Sequence, residues 1–354
     1  MTSTMTAVVY TGYGSPDVLR LKDVEKPVPA GNEVLIKIHA TTVEAADAIF
    51  RQGRTPSARL FTGLFKPRFA IPGSEFAGEI EVVGKDVTRF KEGDQIVGSA
   101  GAGFRANAAY ICLAEDGAMA PKPDSLTYAQ AVSIHPGALT ALPNLRDAAN
   151  IQRGQTVLIN GASGSIGASA VQLAKYFGAH VTGVCSTANV DLVRSLGADV
   201  VVDYTMEDFT GTDQTYDVVF DTVGKSSFGR CTRVLKPGGV YLTPVVTPAI
   251  LWQMLWTSKV GSKQAKIVFA GLRSVGEKNT DLAFVLELVA VGALRPVIDR
   301  CYPLEQIADA HRHVDTGRKK GNVVITVDHG NDRGGADMIE AVRIHRQRSA
   351  PVHA

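Results

Sequence analysis

The run Thr156-Val157-Leu158-Ile159-Asn160 is short and unbroken in its apolar character, as a strand buried on both faces is. It leads without a linker into Gly161-Ala162-Ser163-Gly164-Ser165-Ile166-Gly167, and residues 165–177 then carry helical spacing. Glycine at every third position permits a tight turn and lets another group approach the backbone closely. A helix that starts at such a turn points unpaired N–H groups and its positive dipole end at that group, which suits an anion. The rhythm continues downstream. Strands are expected at 180–184, 200–202 and 216–221, with a helix at 189–196 that stops at Gly197. A further helix running to Leu235, a turn at Pro237-Gly238-Gly239, a strand at 240–242, an apolar helix at 284–291 and a last strand at 321–327 complete the pattern. Strand, helix, strand in this order restricts the second part of the chain to an α/β fold with a parallel, doubly wound sheet.

The first 120 residues read differently. Segments 34–38 and 78–84 are short strands and 93–98 is a turn followed by a short strand; many short strands with glycine-rich turns point to a closed or sandwiched sheet. Residues 126–145 have helical spacing interrupted at Pro136-Gly137. The run Leu251-Trp252-Gln253-Met254-Leu255-Trp256 reads as core, with a pocket wall or a dimer surface as the alternative. From His329 the composition changes, and 329–354 is expected to be a flexible tail.

Composition narrows the function classes. Of 354 residues 45% are hydrophobic and 20% charged, enough apolar material for a large core. Lys plus Arg is 37 and Asp plus Glu is 35, so the +2 balance supports neither a nucleic-acid partner nor a membrane surface. Cys112, Cys185, Cys231 and Cys301 are isolated from one another, which excludes a zinc ribbon and a disulfide framework. With no apolar signal core after Met1 and no long apolar run, the expected location is the cytoplasm.

A glycine turn between a strand and a helix is the setting in which a dinucleotide pyrophosphate binds. The end of the following strand selects the cofactor, because an acid there holds the adenosine ribose of NAD. Here Val184-Cys185-Ser186-Thr187-Ala188-Asn189 supplies no acid, and Ser186, Thr187 and Asn189 offer hydroxyl and amide donors to a 2′-phosphate. Tyr204 follows the next strand. NADPH is therefore the expected cofactor, with NADH possible because no Arg or Lys adjoins Ser186. Ser186 and Thr187 are equally compatible with a plain helix cap.

Gly73-Ser74-Glu75-Phe76-Ala77-Gly78-Glu79-Ile80, continuing through Val83-Gly84, Gly93-Asp94 and Val97-Gly98, is the most specific stretch for recognising a family. With it come the turn at 160–167, Gly197-Ala198-Asp199, Asp203-Tyr204, Asp221-Thr222-Val223-Gly224 and Lys320-Gly321-Asn322-Val323-Val324. Over residues 5–327 the chain resembles the zinc-lacking, quinone oxidoreductase-like branch of the medium-chain dehydrogenase/reductases. The resemblance implies a GroES-like β-rich catalytic domain (1–124 and 296–328) with a Rossmann NADP-binding domain (125–295) inserted, a cofactor cleft between them, and a homodimer joined through the Rossmann domains. It places Gly161, Ser163, Gly164, Ser165, Ile166 and Gly167 at the pyrophosphate and Ser186, Asn189 and Tyr204 at the 2′-phosphate. Thr140 falls beside the nicotinamide, with Phe269 and Asn322 on the cleft wall and Val223 in a matched cofactor-facing loop. Quinone reductases of this kind often carry Lys where Asn189 stands.

Zinc-dependent relatives carry a Cys, a His-Glu pair and a further Cys or acid where this chain has Glu44, Ser74-Glu75 and Pro136, so no metal is expected. Glu44 replaces the Asn or Thr that relatives set beside the nicotinamide. It could stabilise the oxidised ring or serve as an acid of raised pKa, unless it is a solvated cleft-edge carboxylate. His135 is a second candidate proton donor and equally a core histidine. The resulting expectation is zinc-independent hydride transfer from NADPH to a quinone or an α,β-unsaturated carbonyl. An NAD(P)-dependent alcohol dehydrogenase and a non-catalytic NADPH-binding protein are the alternatives.

Overall fold

The computed structural model describes residues 3–330. Its first part runs β1 (Thr4–Val9), β2 (Arg20–Glu25), β3 (Glu33–Val43), α1 (Ala45–Gln52), α2 (Pro56–Thr62), β4 (Glu75–Val83), β5 (Gln95–Ser99), β6 (Tyr110–Ala114), β7 (Ala118–Pro121) and α3 (Tyr128–Pro143). Then come β8 (Thr156–Asn160), α4 (Ser165–Tyr176), β9 (His180–Cys185), α5 (Val190–Ser195), β10 (Val200–Asp203), β11 (Tyr216–Asp221), α6 (Phe228–Cys231) and β12 (Leu235–Leu242). The remainder is α7 (Pro248–Thr257), β13 (Gln264–Lys266), α8 (Val275–Ala290), β14 (Ile298–Pro303), α9 (Ile307–Asp315) and β15 (Asn322–Thr326).

The six strands β8–β13 form one parallel sheet in the order β10-β9-β8-β11-β12-β13. The order reverses between β8 and β11, and such a switch point opens a crevice at the carboxyl ends of the strands. Both faces of β8 are covered: Val157 and Ile159 enter one core and Leu158 the other. That is why its sequence is continuously apolar rather than alternating.

The N-terminal strands make a largely antiparallel sheet in the order β14-β15-β3-β4-β5-β7, with β6 also on β3. β15 pairs antiparallel with β3, Val323 opposite Val43, so the last strand of the described chain completes the first sheet. Helix α3 ties the two sheets together. Its Val132, Ala138 and Leu142 share one core with Ala40, Ala77, Val97 and Val324 of the first sheet and with Val157 and Ile159 of the second.

Five expectations are corrected. Helix α3 is continuous through Pro136-Gly137. The proline gives up one backbone bond to the preceding turn, while Gly137 allows close packing: a Cβ there would lie 2.4 Å from the Ser165 carbonyl oxygen. The helix expected up to Leu235 shrinks to α6, and Leu235 already belongs to β12. The register slips between Tyr216 opposite Leu235 and Val218 opposite Val240, so Pro237-Gly238-Gly239 is an irregularity within a strand. Helix α7 is not core, since Trp252 is 66% exposed and Leu255 and Trp256 more than half. At the start of the supposed tail, His329 packs against the rings of His39 and Tyr110 with Nε2 2.8 Å from the Ile38 carbonyl oxygen; 331–354 lie outside the described residues.

Candidate active site

The glycine turn lies at the carboxyl end of β8, at the switch point. Gly161 has φ +81°, and Gly164 is the N-cap of α4 in extended conformation. A Cβ on Gly167 would lie 2.1 Å from the Gly161 carbonyl oxygen, so only glycine lets α4 start this close to the turn. The N–H groups of the first helical turn lack intrahelical partners and are available to an anion. This donor set fits the pyrophosphate of a dinucleotide.

The turn is bonded to the first sheet. The Gly321 N–H donates to the Ser163 carbonyl at 2.7 Å, and the Ser165 hydroxyl donates to Asn322 Oδ1 at 2.6 Å. Asn322 Nδ2 is held in turn by the Val297 carbonyl. Ser163, Gly164, Ser165 and Asn322 are thus brought together from positions more than 150 residues apart. Across the crevice Asp221, fully buried, accepts from Asn160 Nδ2, the N–H groups of Val223, Gly224 and Ser226, and the Tyr241 hydroxyl. This carboxylate shapes the loop that presents Val223, whose side chain is exposed. Its role was not drawn from the sequence, where Asp221 stood only as part of a motif.

At the end of β9, Asn189 Nδ2 donates to the hydroxyls of Ser163 (3.0 Å) and Ser186 (3.3 Å). It joins the glycine turn to the end of β9, while its own Oδ1 is buried and has no partner among the described residues. The Thr187 hydroxyl turns away to Asp203 at 2.5 Å. Tyr204 is exposed beside it. The cation missing from the local sequence arrives from elsewhere: Lys320 Nζ donates to the Ala188 carbonyl at 3.3 Å. The backbone N–H of Lys320 is fixed by Asp299, which also meets His313 Nε2 at 2.6 Å. No sequence spacing relates Lys320 to Ala188, although Lys320 lies within the Lys320–Val324 match.

Glu44 ends the connection from β3 and is the N-cap of α1. The helix is anchored at its far end, where buried Arg51 donates from Nη2 to both oxygens of Asp315 (2.8 and 2.6 Å) and from Nη1 to the Gly14 carbonyl. Asp47 accepts the Glu44 N–H at 2.7 Å, and Thr42 donates to Glu75 Oε2 at 3.3 Å. Because Thr41 pairs with Phe76 across β3 and β4, Glu75 lies next to the strand end that carries Glu44. Burial raises the pKa of all three carboxyls, and Asp47 and Glu75 are raised further by the other acids around them. Lys319 opposes this at Glu44. Its Nζ is 2.9 Å from Glu44 Oε2 and 2.7 Å from the Gly321 carbonyl, with side chains only 10% and 13% exposed. Glu44 Oε1 is buried and takes no hydrogen bond from the described residues. The Lys319 pairing was not expected from sequence.

His135 is buried on α3, neither ring nitrogen has a partner among the described residues, and burial lowers its pKa to about 4. Thr140, one turn on, donates its hydroxyl to the Pro136 carbonyl at 2.9 Å. Phe269, after β13, is exposed. The positions of the zinc ligands in zinc-dependent relatives hold Glu44, whose Oε2 is bonded to Lys319, then Ser74, Glu75 and Pro136, which has no donor side chain. Zinc favours thiolate and neutral imidazole, and these residues do not fit it.

The Alcohol dehydrogenase GroES-like domain family matches residues 30–144, and the Zinc-binding dehydrogenase family matches residues 196–325. A 2-methylene-furan-3-one reductase of Solanum lycopersicum is 33% identical over 338 residues, spanning 91% of this chain and 79% of its own. A chloroplastic NADPH-dependent alkenal/one oxidoreductase of Arabidopsis thaliana is 31% identical, with the same two coverages. Among solved structures, the quinone oxidoreductase from Coxiella burnetii superposes with a TM-score of 0.82 at 28% identity, over 92% of this chain and 100% of that one.

Proposed function

The chain belongs to the medium-chain dehydrogenase/reductases, in their quinone oxidoreductase-like branch, and is an NAD(P)H-dependent oxidoreductase; from that premise we propose that it reduces a quinone or an α,β-unsaturated carbonyl with NADPH and without zinc. The observation that carries the reading is the join between the glycine turn and the Gly321-Asn322 segment, next to a carboxyl that can hold a proton. When bound there, a reduced nicotinamide supplies the hydride.

The chain's own residues supply the rest. Ser163, Gly164, Ser165, Ile166 and Gly167 hold the pyrophosphate, and Ser186, Asn189 and Tyr204, with Lys320, take the 2′-phosphate. Gly161 and Thr187 shape the two turns, and Thr140, Val223, Phe269 and Asn322 line the nicotinamide side. The acceptor gains one hydride and one proton. We assign the proton to Glu44, whose carboxyl is raised by burial and whose Oε2 is steadied by Lys319. His135, neutral at neutral pH, has no imidazolium proton to give. A water-poor cleft and fixed positioning account for the remaining rate enhancement.

We also propose a homodimer through the Rossmann domains. Support comes from the exposed face of α7 beside β13, the last strand of its sheet. A cytoplasmic location is favoured by four free cysteines, and no helix of the described residues is long and apolar enough to cross a membrane.

The test is nicotinamide oxidation with benzoquinone, phenanthrenequinone and an enone, before and after chelation. Turnover with NADPH that survives the chelator is expected. Loss on chelation refutes the zinc-independent reading. Tight cofactor binding without turnover on any acceptor refutes the reductase in favour of a binding protein.

A further inference from the structure

The near-zero net charge conceals where the charges sit. Between Asp47 and Glu75 the chain carries Arg51, Arg54, Arg59, Lys66 and Arg68 and not one Asp or Glu. Arg51 is consumed by its buried pair with Asp315, but the other four cations are exposed. The same stretch exposes large apolar side chains: Phe65 is 88% exposed, Leu60 82% and Leu64 61%. The nearby acids Asp17 and Asp309 are already occupied, since both pair with Arg312.

The platform beneath these residues is ordered. Helix α2 starts with Pro56 behind Thr55, whose hydroxyl accepts the Ala58 N–H. Ala58 and Thr62 form its buried side, and the Tyr13 hydroxyl lies 2.9 Å from Thr62 Oγ1. Arg59 Nε donates to the Gly53 carbonyl at 2.7 Å. Phe61 rests on the rings of Phe50 and Phe104. Leu60, Leu64 and Phe65 therefore face water on a fixed support.

An apolar patch of this kind marks an interaction surface, and its chemistry selects the partner. Leu and Phe interleaved with Lys and Arg, with no acid between, is the composition of segments that lie in the headgroup region of anionic membranes. Helix α7 is a contrast: its ten residues carry no charge and adjoin a sheet edge, which suits a protein surface. We infer that the segment 54–68 docks this protein peripherally on an anionic lipid bilayer. Phe65 and Leu60 enter below the headgroups, and Arg54, Arg59, Lys66 and Arg68 meet the lipid phosphates. The total charge, from which no membrane partner is expected, averages over this segregation. The inference does not rest on the reaction proposed above.

The experiment is co-sedimentation of the full-length protein with vesicles of phosphatidylcholine alone or mixed with phosphatidylglycerol, at low and high salt. Binding to the anionic vesicles is expected, with weak binding to neutral ones and release by salt. The Leu60→Glu/Phe65→Glu double variant should lose binding, and Arg54→Gln or Lys66→Gln should each weaken it about fivefold. Circular dichroism checks folding, and turnover of a water-soluble quinone by the same variants should be unchanged. Failure to bind anionic vesicles at low salt overturns the inference, as does equal binding to both vesicle types. A raised KM for the soluble quinone without vesicle binding also overturns it, and would make the segment a wall of the substrate cleft.

Discussion

Replacing Lys320 with Ala tests the cofactor assignment most directly. The side chain reaches across the cleft to the Ala188 carbonyl at 3.3 Å, in the turn that also holds Ser186 and Asn189. Removing it deletes one positive charge while the backbone remains fixed by Asp299. A hydrogen bond to a charged group contributes about 1.5–3 kcal/mol. The bare attraction of two unit charges about 4 Å apart near a protein surface is of order 4 kcal/mol, and desolvation and salt remove part of it. The expected loss is about 2 kcal/mol, or roughly thirtyfold in the NADPH dissociation constant. NADH lacks the 2′-phosphate and should change by less than about threefold, within the scatter of a surface substitution of about 0.5 kcal/mol. Asp203, held near Thr187, then becomes the dominant charge at that end and repels the phosphate further. The assay is fluorescence titration with each reduced cofactor at two salt concentrations. Added salt should erode the preference of the wild type more than that of the variant. Equal weakening of both cofactors would mean that Lys320 supports the turn rather than the phosphate, and the assignment would be wrong.

Two further outcomes follow from buried groups. Burial and the carboxylates of Asp47 and Glu44 push Glu75 up to about 8. Its folded pKa is thus above its unfolded value near 4.5, so its proton favours the native state at low pH and that contribution is lost as pH rises through about 8. Glu75→Gln should therefore gain stability relative to wild type over this range, by up to about 1.4 kcal/mol per pH unit; urea denaturation at a series of pH values showing a constant difference would contradict it. Gly137→Ala sets a methyl 2.4 Å from the Ser165 carbonyl oxygen, so α3 and α4 must separate at a cost of about 1–3 kcal/mol. An unchanged midpoint of thermal unfolding would show that the two helices yield freely there.

The order of strands and helices from 156 to 203 is legible in the sequence because it depends on near neighbours. Apolar runs, the third-residue glycines and the stop at Gly197 each act within one turn or one strand. The same locality explains the errors. Pro136 signals a helix break, yet packing of α3 against both sheets outweighs the one bond lost. The apolar composition of 251–256 signals burial, but composition does not say which side of an edge the helix occupies.

The sequence by itself determined the glycine turn, the parallel sheet around it and the family, because periodicity and glycine placement are properties of contiguous residues. Tertiary structure alone decided that Lys319 meets Glu44, that Lys320 reaches Ala188 and that Asn322 bonds to Ser165. These partners are 275, 132 and 157 residues apart. No local pattern encodes such distances. They arise because β15 returns to pair with β3, and that pairing carries residues 319–322 across the cleft onto the turn.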